Sequence, residues 1–280
     1  REGLAPVRVG KLWGFIDRTG DFVVQPSFQT AGEFHEGLAR VMYCPPETRI
    51  PPLMDYPILR DTFRLEVEAG WRFAGKNVRF GFIDRTGKMQ IEPQAWEMAD
   101  DFSEGLAWVR GRDLKCGYVN RQGQFAFPRR FDHVKPFSEG LASVSVEPKC
   151  GYIDKSGEFA IPARFDYCGN FSEGLAVVRE ASADEDELET MGAIDRSGRY
   201  VIPPQYYRLK DFSEGLAIAS RNRQRFFIDQ RGKKVHITDH QIADLRIEWW
   251  GFRDGLAIVG AKGKRVYINK TGKVVAAFEK

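Results

Sequence analysis

Apolar and polar residues alternate along this chain over short stretches, which are separated by turns rich in Gly, Pro, Asp and Glu. A strand directs successive side chains to opposite faces, so the Leu and the Ala-x-Val positions of such a stretch are expected to pack on its two faces. No apolar periodicity of convincing helical length stands between the stretches. The pattern predicts an all-β protein.

Two short strings recur in register and divide the chain into seven units. Glu-Gly-Leu-Ala, with Asp in place of Glu in the last unit, begins at Glu2, Glu36, Glu104, Glu139, Glu173, Glu214 and Asp254. Gly-aromatic-Ile-Asp or a close variant begins at Gly14, Gly81, Gly117, Gly151 and Gly192, and the string survives without its Gly at Phe226 and Val266. Repetition at a nearly fixed period indicates a repeat architecture.

Each unit predicts a strand, a hairpin, a second strand, a tight turn, a third strand and a connecting arm. In the turn at residues 17–20, Asp-Arg-Thr-Gly, the carboxylate can accept backbone N–H groups and Gly supplies a positive φ. A proline after the turn, such as Pro162, is expected to end the third strand because it donates no ladder hydrogen bond. Aromatic residues of the arm, such as Phe131 and Phe137, are expected to anchor it to the core.

The repeated strings resemble the WG-repeat (KWG-repeat) family of bacterial proteins. The resemblance is clearest in residues 11–20, Lys-Leu-Trp-Gly-Phe-Ile-Asp-Arg-Thr-Gly, and in residues 102–107, Phe-Ser-Glu-Gly-Leu-Ala. It covers nearly the whole chain outside two insertions, although the Trp that names the family is kept only at Trp13. Because most of the family is uncharacterised, the resemblance implies a fold better than it implies a function.

We therefore expect residues 1–280 to form a single WG-type β-repeat domain. It is predicted to be a tandem array of seven three-stranded antiparallel units, in which each unit leans on the next through its arm. Seven units suit a propeller-like ring, which we prefer, and an open, twisted β-solenoid is the alternative.

Two hairpin insertions interrupt the repeat, at about residues 43–79 and 180–190, and both are expected to emerge from one edge of the assembly. The first could also be a decayed eighth repeat, or a loop that packs on its own repeats. Arginine and aromatic residues are enriched at binding hot spots, and these types in the first insertion include Tyr56, Arg60, Phe63, Arg64, Trp71 and Arg72.

The second insertion and a late arm supply the remaining candidate binding residues. Consecutive acids without an intervening glycine do not make a calcium loop, so Asp184, Glu185, Asp186 and Glu187 are either a solvated loop tip or a contact to a basic partner. Trp249 and Trp250 are candidates for stacking on a sugar or on a protein partner, and core anchoring is the alternative for at least one of them.

Composition narrows the possible partners and location. The formal net charge is only +3, far from the bias that nucleic-acid binding leaves, and the apolar runs are too short for a transmembrane helix. Cys116 and Cys150 occupy the same position in neighbouring units, so a disulfide between them is an alternative to two buried thiols. Reduced thiols favour a location in the bacterial cytoplasm. The alternative is that a targeting segment before Arg1 has been removed.

The repeated polar residues are alike in every unit, whereas an active site brings unlike groups together once. The sequence has no recognisable nucleophile motif, phosphate loop or zinc ligand set, so we expect no enzyme, no metal and no cofactor. It favours a non-catalytic scaffold that binds another protein, one form of which would be a bacterial immunity or adaptor protein that engages a toxin or enzyme through its hairpin insertions. The alternative is a carbohydrate or cell-envelope binding module that uses exposed Trp residues, and an enzyme with loop-built chemistry ranks third.

Overall fold

The computed structural model of the protein describes residues 2–43, 78–180, 190–222, 224–235, 245–247, 251–261 and 264–278. Every helix or strand assigned in these residues is a β-strand. The all-β fold class predicted from the alternating pattern is therefore confirmed. The chain divides into two compact bodies, Arg1–Pro136 and Phe137–Lys280, and each is described by itself.

The first body contains β1 to β11. Their bounds are β1 Ala5–Val9, β2 Leu12–Ile16, β3 Phe22–Phe28, β4 Thr30–His35, β5 Leu38–Tyr43, β6 Arg79–Asp84, β7 Met89–Gln94, β8 Met98–Ala99, β9 Ala107–Arg110, β10 Cys116–Val119 and β11 His133–Val134. Antiparallel sheets of this body contain β1 to β3, β4 to β7, and β8 to β10, and within each sheet the strands lie in sequence order.

The second body contains β12 to β26. Their bounds are β12 Ala142–Val146, β13 Lys149–Ile153, β14 Phe159–Phe165, β15 Tyr167–Ser172, β16 Leu175–Arg179, β17 Met191–Ile194, β18 Tyr200–Tyr206, β19 Arg208–Leu209, β20 Leu216–Arg221, β21 Gln224–Asp229, β22 Lys234–Val235, β23 Leu245–Ile247, β24 Leu256–Ala261, β25 Lys264–Asn269 and β26 Val274–Phe278. Strands β12 to β14, β15 to β18, β19 to β22 and β23 to β26 follow one another in antiparallel sheets.

The prediction of three-stranded units is wrong for most of these sheets, because the arm supplies a fourth strand. In the first body β4 is such an arm, and Thr30 of β4 pairs with Met42 of β5. In the second body β15, β19 and β23 take the same place in their sheets. The arm has backbone N–H and C=O groups to satisfy, and pairing with the strand of the next repeat satisfies them. Ring closure or an open solenoid stays a prediction.

Strand register gives each sheet two distinct ends. Leu38 pairs with Asp84 and Tyr43 pairs with Arg79 across β5 and β6. The Glu-Gly turn before Leu38 and the Asp-x-x-Gly turn that begins at Asp84 therefore lie at one end of the sheet, which we call the turn end. The β5–β6 connection lies at the opposite end, which we call the hairpin end, and the same definitions hold for the other sheets.

The hydrophobic core lies between successive sheets, and neighbouring residues of one strand serve different interfaces. In the first body Ile83 and Phe34 join a cluster with Phe15 of the preceding sheet. Phe82 faces the other way, onto Phe102 of the next sheet, with ring centroids 4.9 Å apart. Leu38 of β5 joins the cluster that contains Phe82, whereas Ala39 and Val41 join the cluster that contains Phe15. The expectation that the Leu and Ala-x-Val positions pack on two faces is therefore confirmed for β5. The arm aromatics Phe131 and Phe137 are also buried, as expected.

The Gly of the Gly-aromatic string is required by a bulge in the third strand, which runs through its proline and does not end there. Around Gly151, Cys150 pairs with Phe165 and Tyr152 pairs with Ile161, so the partner strand β14 gains two residues between these pairs. A Cβ at Gly151 would lie 2.5 Å from the carbonyl oxygen of Ile161, which no side chain tolerates. In β25 the equivalent Val266 pairs directly with Ala277, without that bulge, which explains why the Gly can be lost there.

Candidate functional site

Both hairpin insertions begin and end at the hairpin end of a sheet. The first connects Tyr43 of β5 to Arg79 of β6, and these two residues are paired. The second connects β16 to β17, where Arg179 pairs with Met191. The ladders thus fix the two ends of each insertion at that end of its own sheet.

The candidate binding residues themselves lie outside the described residues. They are Tyr56, Arg60, Phe63, Arg64, Trp71 and Arg72 of the first insertion, Asp184, Glu185, Asp186 and Glu187 of the second, and Trp249 and Trp250 of the late arm. Their use in binding stays a prediction that follows from sequence alone.

At the turn end, Glu-Gly forms a two-residue hairpin turn with positive φ at both residues. Glu104 has φ 54° and Gly105 has φ 86°, and Ser103 and Leu106 exchange backbone hydrogen bonds of 2.9 and 3.2 Å. This is the geometry of a type I′ turn, in which Asn-Gly and Asp-Gly are the preferred pairs. Sequence reasoning found the turn but missed the left-handed conformation of Glu. The choice of Glu therefore needs a reason beyond the turn.

That reason is a hydrogen bond from one repeat to the next within each body. The carboxylate of Glu139 accepts the backbone N–H of Gly174, in the turn of the following repeat, at 2.9 Å. The same contact is made by Glu2 to Gly37 at 3.0 Å, Glu36 to Gly105 at 2.9 Å, Glu173 to Gly215 at 2.7 Å and Glu214 to Gly255 at 2.9 Å. We call this series the glutamate ladder. Asn and Asp suit the turn equally well but have shorter side chains, and the longer reach of Glu serves this second bond.

A basic residue strengthens the ladder in several repeats. Arg85 donates to the carboxylate of Glu2 at 2.6 Å, and this hydrogen bond is the main cause that lowers the pKa of Glu2. Lys270 lies 3.0 Å from the carboxylate of Glu214 and lowers its pKa in the same way. Arg85 and Lys270 both follow the Asp or Asn of the next turn, so the two turn types act together at the turn end.

The Asp-x-x-Gly turns have the geometry expected from sequence. One carboxylate oxygen of Asp154 accepts the N–H of Ser156 at 2.8 Å, its hydroxyl at 2.5 Å and the N–H of Glu158 at 3.2 Å. The hydroxyl of Ser156 is the main cause that lowers the pKa of Asp154. Gly157 has a φ of 87°, which completes the turn. The role predicted for this Asp is therefore confirmed and is structural.

One polar cluster in the first body departs from the repeat pattern. Nε2 of His35 lies 3.5 Å from Oδ2 of Asp101, and Nη1 of Arg40 lies 3.8 Å from Oδ1 of Asp100. The indole of Trp108 donates to Oδ2 of Asp100 at 2.6 Å. Oδ1 of Asp101 is buried without a hydrogen-bond partner, and burial raises the pKa of this carboxyl.

The cluster replaces an interaction that other repeats make with Ser. Ser172 donates its hydroxyl to the carbonyl oxygen of Phe212 at 2.7 Å, and Ser213 donates to Phe252 at 2.8 Å. His35 stands where Ser stands in those repeats, and it contacts the Asp that precedes Phe102. The arrangement therefore joins two sheets. Sequence reasoning missed it, although His35 stands where several other repeats have Ser, and Arg40 is charged where the other repeats have uncharged residues.

The cysteines follow the sequence expectations only in part, because Cys116 is a buried thiol whereas Cys150 is not. Cys150 and Cys168 form a disulfide between β13 and β15, so the alternative pairing of Cys116 with Cys150 is wrong. Cys116 is a buried free thiol, and burial raises its pKa to about 11, which leaves it protonated and unreactive at neutral pH. Across the described ranges, no three His, Cys, Asp or Glu side chains are grouped to hold a metal ion.

Comparison with known families decides the nature of the repeat. The WG containing repeat matches the chain five times, at residues 13–43, 80–111, 117–150, 151–181 and 191–223, and these matches make up more than half of its length. The chain belongs to this family. The resemblance drawn from residues 11–20 and 102–107 is thereby confirmed. In the WG-repeat protein the matches leave out residues 44–79 and 182–190, which contain most of the two insertions.

Solved structures similar to the WG-repeat protein have low sequence identity to it, and those with a TM-score above 0.5 share its fold. A eukaryotic initiation factor is 11% identical, with 97% of this chain and 72% of that chain covered and a TM-score of 0.55. Hsv2 of Kluyveromyces lactis, with loop 6CD replaced by a Gly-Ser linker, is 8% identical, with 99% and 95% covered and a TM-score of 0.51. The WD40 β-propeller domain of Doa1 is 12% identical, with 64% and 66% covered and a TM-score of 0.34.

The fold of the WG-repeat protein is β-propeller-like, because consecutive antiparallel sheets of up to four strands are the blades of such proteins. No protein of curated function matches the sequence. None of the described residues belongs to a helix long and apolar enough to cross a membrane.

Proposed function

We propose that this WG-repeat protein is a non-catalytic scaffold that binds another protein at the hairpin ends of its sheets. The first insertion makes the main contact with the partner. The acidic second insertion makes an additional contact from the hairpin end of its own sheet. A bacterial immunity or adaptor protein that covers a toxin or an enzyme is the specific form that we propose. One observation carries the proposal: both hairpin insertions begin and end at the hairpin end of their sheets.

The turn end is committed to holding the repeats together, which supports this assignment. Its Glu carboxylates accept hydrogen bonds from the next repeat, and its Asp carboxylates close their own turns. Changing these residues would weaken the fold. Ion pairs also occur at the hairpin end, between Lys115 and Asp132 and between Lys149 and Asp166. The connections at that end nevertheless differ in length between units, so they can serve a partner.

The chemistry of the first insertion suits protein binding. Arginine and aromatic side chains supply large contact areas and directed hydrogen bonds, and they dominate the energetics of protein interfaces. The insertion contains Arg60, Arg64, Arg72, Trp71 and Tyr56 within one connection between two paired strands. Repeat scaffolds with a propeller-like fold commonly present such loops for recognition.

A deletion tests the proposal. Residues 45–78 are replaced by a short Gly-Ser turn, and the purified variant is compared with the natural chain in affinity capture from a lysate of the source organism. The proposal predicts that a protein enriched on the natural chain is lost from the variant, while the melting temperature changes little. A variant with residues 181–189 replaced in the same way is the control, and it is expected to retain the partner with reduced recovery.

Two outcomes contradict the proposal. Equal capture by the natural chain and the 45–78 variant would show that the insertion does not bind the partner. Specific binding to peptidoglycan or another glycan that is lost in Trp249→Ala would instead favour the carbohydrate-binding alternative.

A further inference from the structure

The hairpin end of the first body carries a group of exposed apolar side chains. Val9 and Leu12 at the β1–β2 hairpin, Tyr43 at the end of β5 and Leu114 in the β9–β10 hairpin are 55%, 36%, 41% and 60% exposed. No exposed large apolar side chain lies in the Glu-Gly or Asp-x-x-Gly turns of the described part of this body. Phe22, Val23 and Phe125 are also exposed, just after the turns that begin at Asp17 and Asn120, so apolar exposure alone does not distinguish the hairpin end from the turn end.

Cationic side chains surround these apolar residues. Arg8, Lys11 and Arg79 are exposed, and none of the three forms an ion pair with another described residue. They lie in or next to the first two hairpins, beside Val9, Leu12 and Tyr43 in sequence or across the ladder. The hairpin end thus combines positive charge with apolar surface.

The acidic residue of the third hairpin is already engaged within its own loop. Oδ1 of Asp113 accepts the backbone N–H of Lys115 at 3.1 Å, and Lys115 forms an ion pair with Asp132. Arg112 is exposed in the same loop. Asp113 keeps its negative charge, but the exposed Arg8, Lys11, Arg79 and Arg112 outnumber it, so the charge presented at the hairpin end of the first body is predominantly positive.

Leu114 is held in a conformation that is costly for its residue type. Its φ is 62°, and its N–H bonds to the carbonyl oxygen of Gly111 at 3.1 Å, which places it at the left-handed position that follows a tight turn. Gly is the usual residue there, and Gly10 has a φ of 61° in the first hairpin. A branched aliphatic side chain that is exposed and has a strained backbone does not stabilise the fold. Its presence at this position therefore points to a role in recognition.

The glutamate ladder aligns these hairpins on one side of the first body. Glu2 bonds to Gly37 and Glu36 bonds to Gly105, so the turn ends of three successive sheets lie next to one another. Their hairpin ends consequently lie next to one another on the opposite side. The first insertion emerges from the middle one of the three.

We propose that this face binds an acidic surface of the partner protein. Arg8, Lys11 and Arg79 pair with partner carboxylates, and Leu114 enters an apolar depression between them. The inference rests on the proposed protein-binding function and adds the chemistry of the partner, because positive charge around exposed apolar side chains complements acidic surface around an apolar site.

Two labelled peptides of equal length test the charge and apolar parts separately. One contains only Glu, and the other has Leu at every third position. Binding to the full chain is measured by fluorescence anisotropy at physiological salt. The proposal predicts that both peptides bind, that the Leu-containing peptide binds more tightly, and that added salt weakens both.

Matched charge reversals locate the site. Arg8→Glu with Arg79→Glu changes two exposed cations at the hairpin end, and Arg18→Glu with Lys88→Glu makes the same change of net charge at the turn end. We expect the first pair to weaken peptide binding by about tenfold or more and the second pair by less than about twofold, since separate surface charges are screened from each other. Equal weakening by both pairs, or no binding of either peptide, would overturn the proposal.

Leu114→Gly tests the apolar contact without harming the fold, because Gly adopts the required φ freely. The variant is expected to melt no lower than the natural chain and to bind the two peptides equally. Duplex DNA that binds more tightly than either peptide at physiological salt would overturn the proposal in favour of a nucleic-acid surface. Each of these failures leaves the 45–78 deletion experiment intact, so the wider protein-binding function is judged separately.

Discussion

The carboxylate of Glu139 accepts the backbone N–H of Gly174 at 2.9 Å, and the two residues are 35 positions apart in the sequence, one repeat length. A residue that defines the repeat motif thus makes its main contact in the next copy of the motif. The motif therefore stabilises the contact between neighbouring repeats as well as the fold of each repeat.

Replacement of Glu139 should weaken this joint. Glu139→Ala removes the charged acceptor of a partly buried N–H, and we expect the free energy of unfolding to fall by about 1–2 kcal/mol. Glu139→Gln keeps an acceptor oxygen at the same reach and should lose less. Urea denaturation followed by circular dichroism measures both, and an unchanged free energy of unfolding in Glu139→Ala would show that the ladder bond does not stabilise the protein.

Gly151→Ala should lower the stability of the protein more than an Ala substitution in a turn does. The new Cβ would lie 2.5 Å from the carbonyl oxygen of Ile161, so the bulged strand has to shift, at an expected cost of about 2–3 kcal/mol. Gly105→Ala meets no atom within 4 Å and suffers only from its φ of 86°, at about 1 kcal/mol. Melting temperatures rank the two, and a lower value for Gly105→Ala would contradict this account of the motif.

A β-branched residue in the turn should be worse than Ala. Gly105→Val combines the positive φ with a branched Cβ, so we expect the melting temperature to fall clearly below that of Gly105→Ala. An unchanged melting temperature for the Val variant would mean that the turn tolerates other conformations.

Low pH should destabilise the protein, because it protonates carboxylates at the turn end. The pKa values of Glu2, Asp84, Asp154 and Asp195 lie below the ordinary values of 4.5 for Glu and 3.8 for Asp, chiefly because a neighbouring side chain donates a hydrogen bond to each. Their stabilisation is present above those ordinary values and is lost as pH falls through the lowered ones. Urea midpoints measured from neutral pH down to pH of about 2 should therefore decrease below about pH 4.

The effect of pH on stability through Asp101 should be opposite to that of the turn-end carboxylates. Burial raises its pKa above 3.8, so its charged form opposes folding, and stability is lost as pH rises through the raised value. Asp101→Asn removes this dependence, and its stability relative to the natural chain should increase from acid toward neutral pH. A relative stability that is constant with pH would show that the carboxyl is not perturbed in this way.

The disulfide is open to direct measurement. Cleavage of unreduced protein should yield a peptide pair that contains Cys150 linked to Cys168, and Cys116 should react with a thiol reagent only after unfolding. Replacement of both linked cysteines by Ser should lower the free energy of unfolding by about 3 kcal/mol, as expected for a loop of 18 residues. Free thiols at both positions in the native protein would contradict the pairing.

The sequence predicts most of the repeat because its signals are local. The turn at Asp154 depends on groups within four residues, and the alternation around Leu106 fixes which side chains are buried. These features follow from residue type and spacing. They suffice for the fold class and for the hairpin position of both insertions.

Features that depend on contacts between strands or between repeats were not predicted. The reach of Glu139 to Gly174, the pairing of Cys150 with Cys168 and the bulge opposite Gly151 all join segments whose distance is set by packing. The fourth strand was missed for the same reason, since a short arm has no strand signal of its own. In the proposed binding face at the hairpin end, Leu114 was not predicted from sequence, because its backbone strain is visible only in the backbone angles.

Hydrogen–deuterium exchange of the protein with and without its captured partner tests the central claim most directly. If the partner binds the hairpin ends, peptides that contain residues 8–12 and 111–115 become protected in the complex, while those that contain the turns at residues 17–20 and 84–87 exchange unchanged. Protection confined to the turn peptides, or spread equally over both ends, would contradict the account.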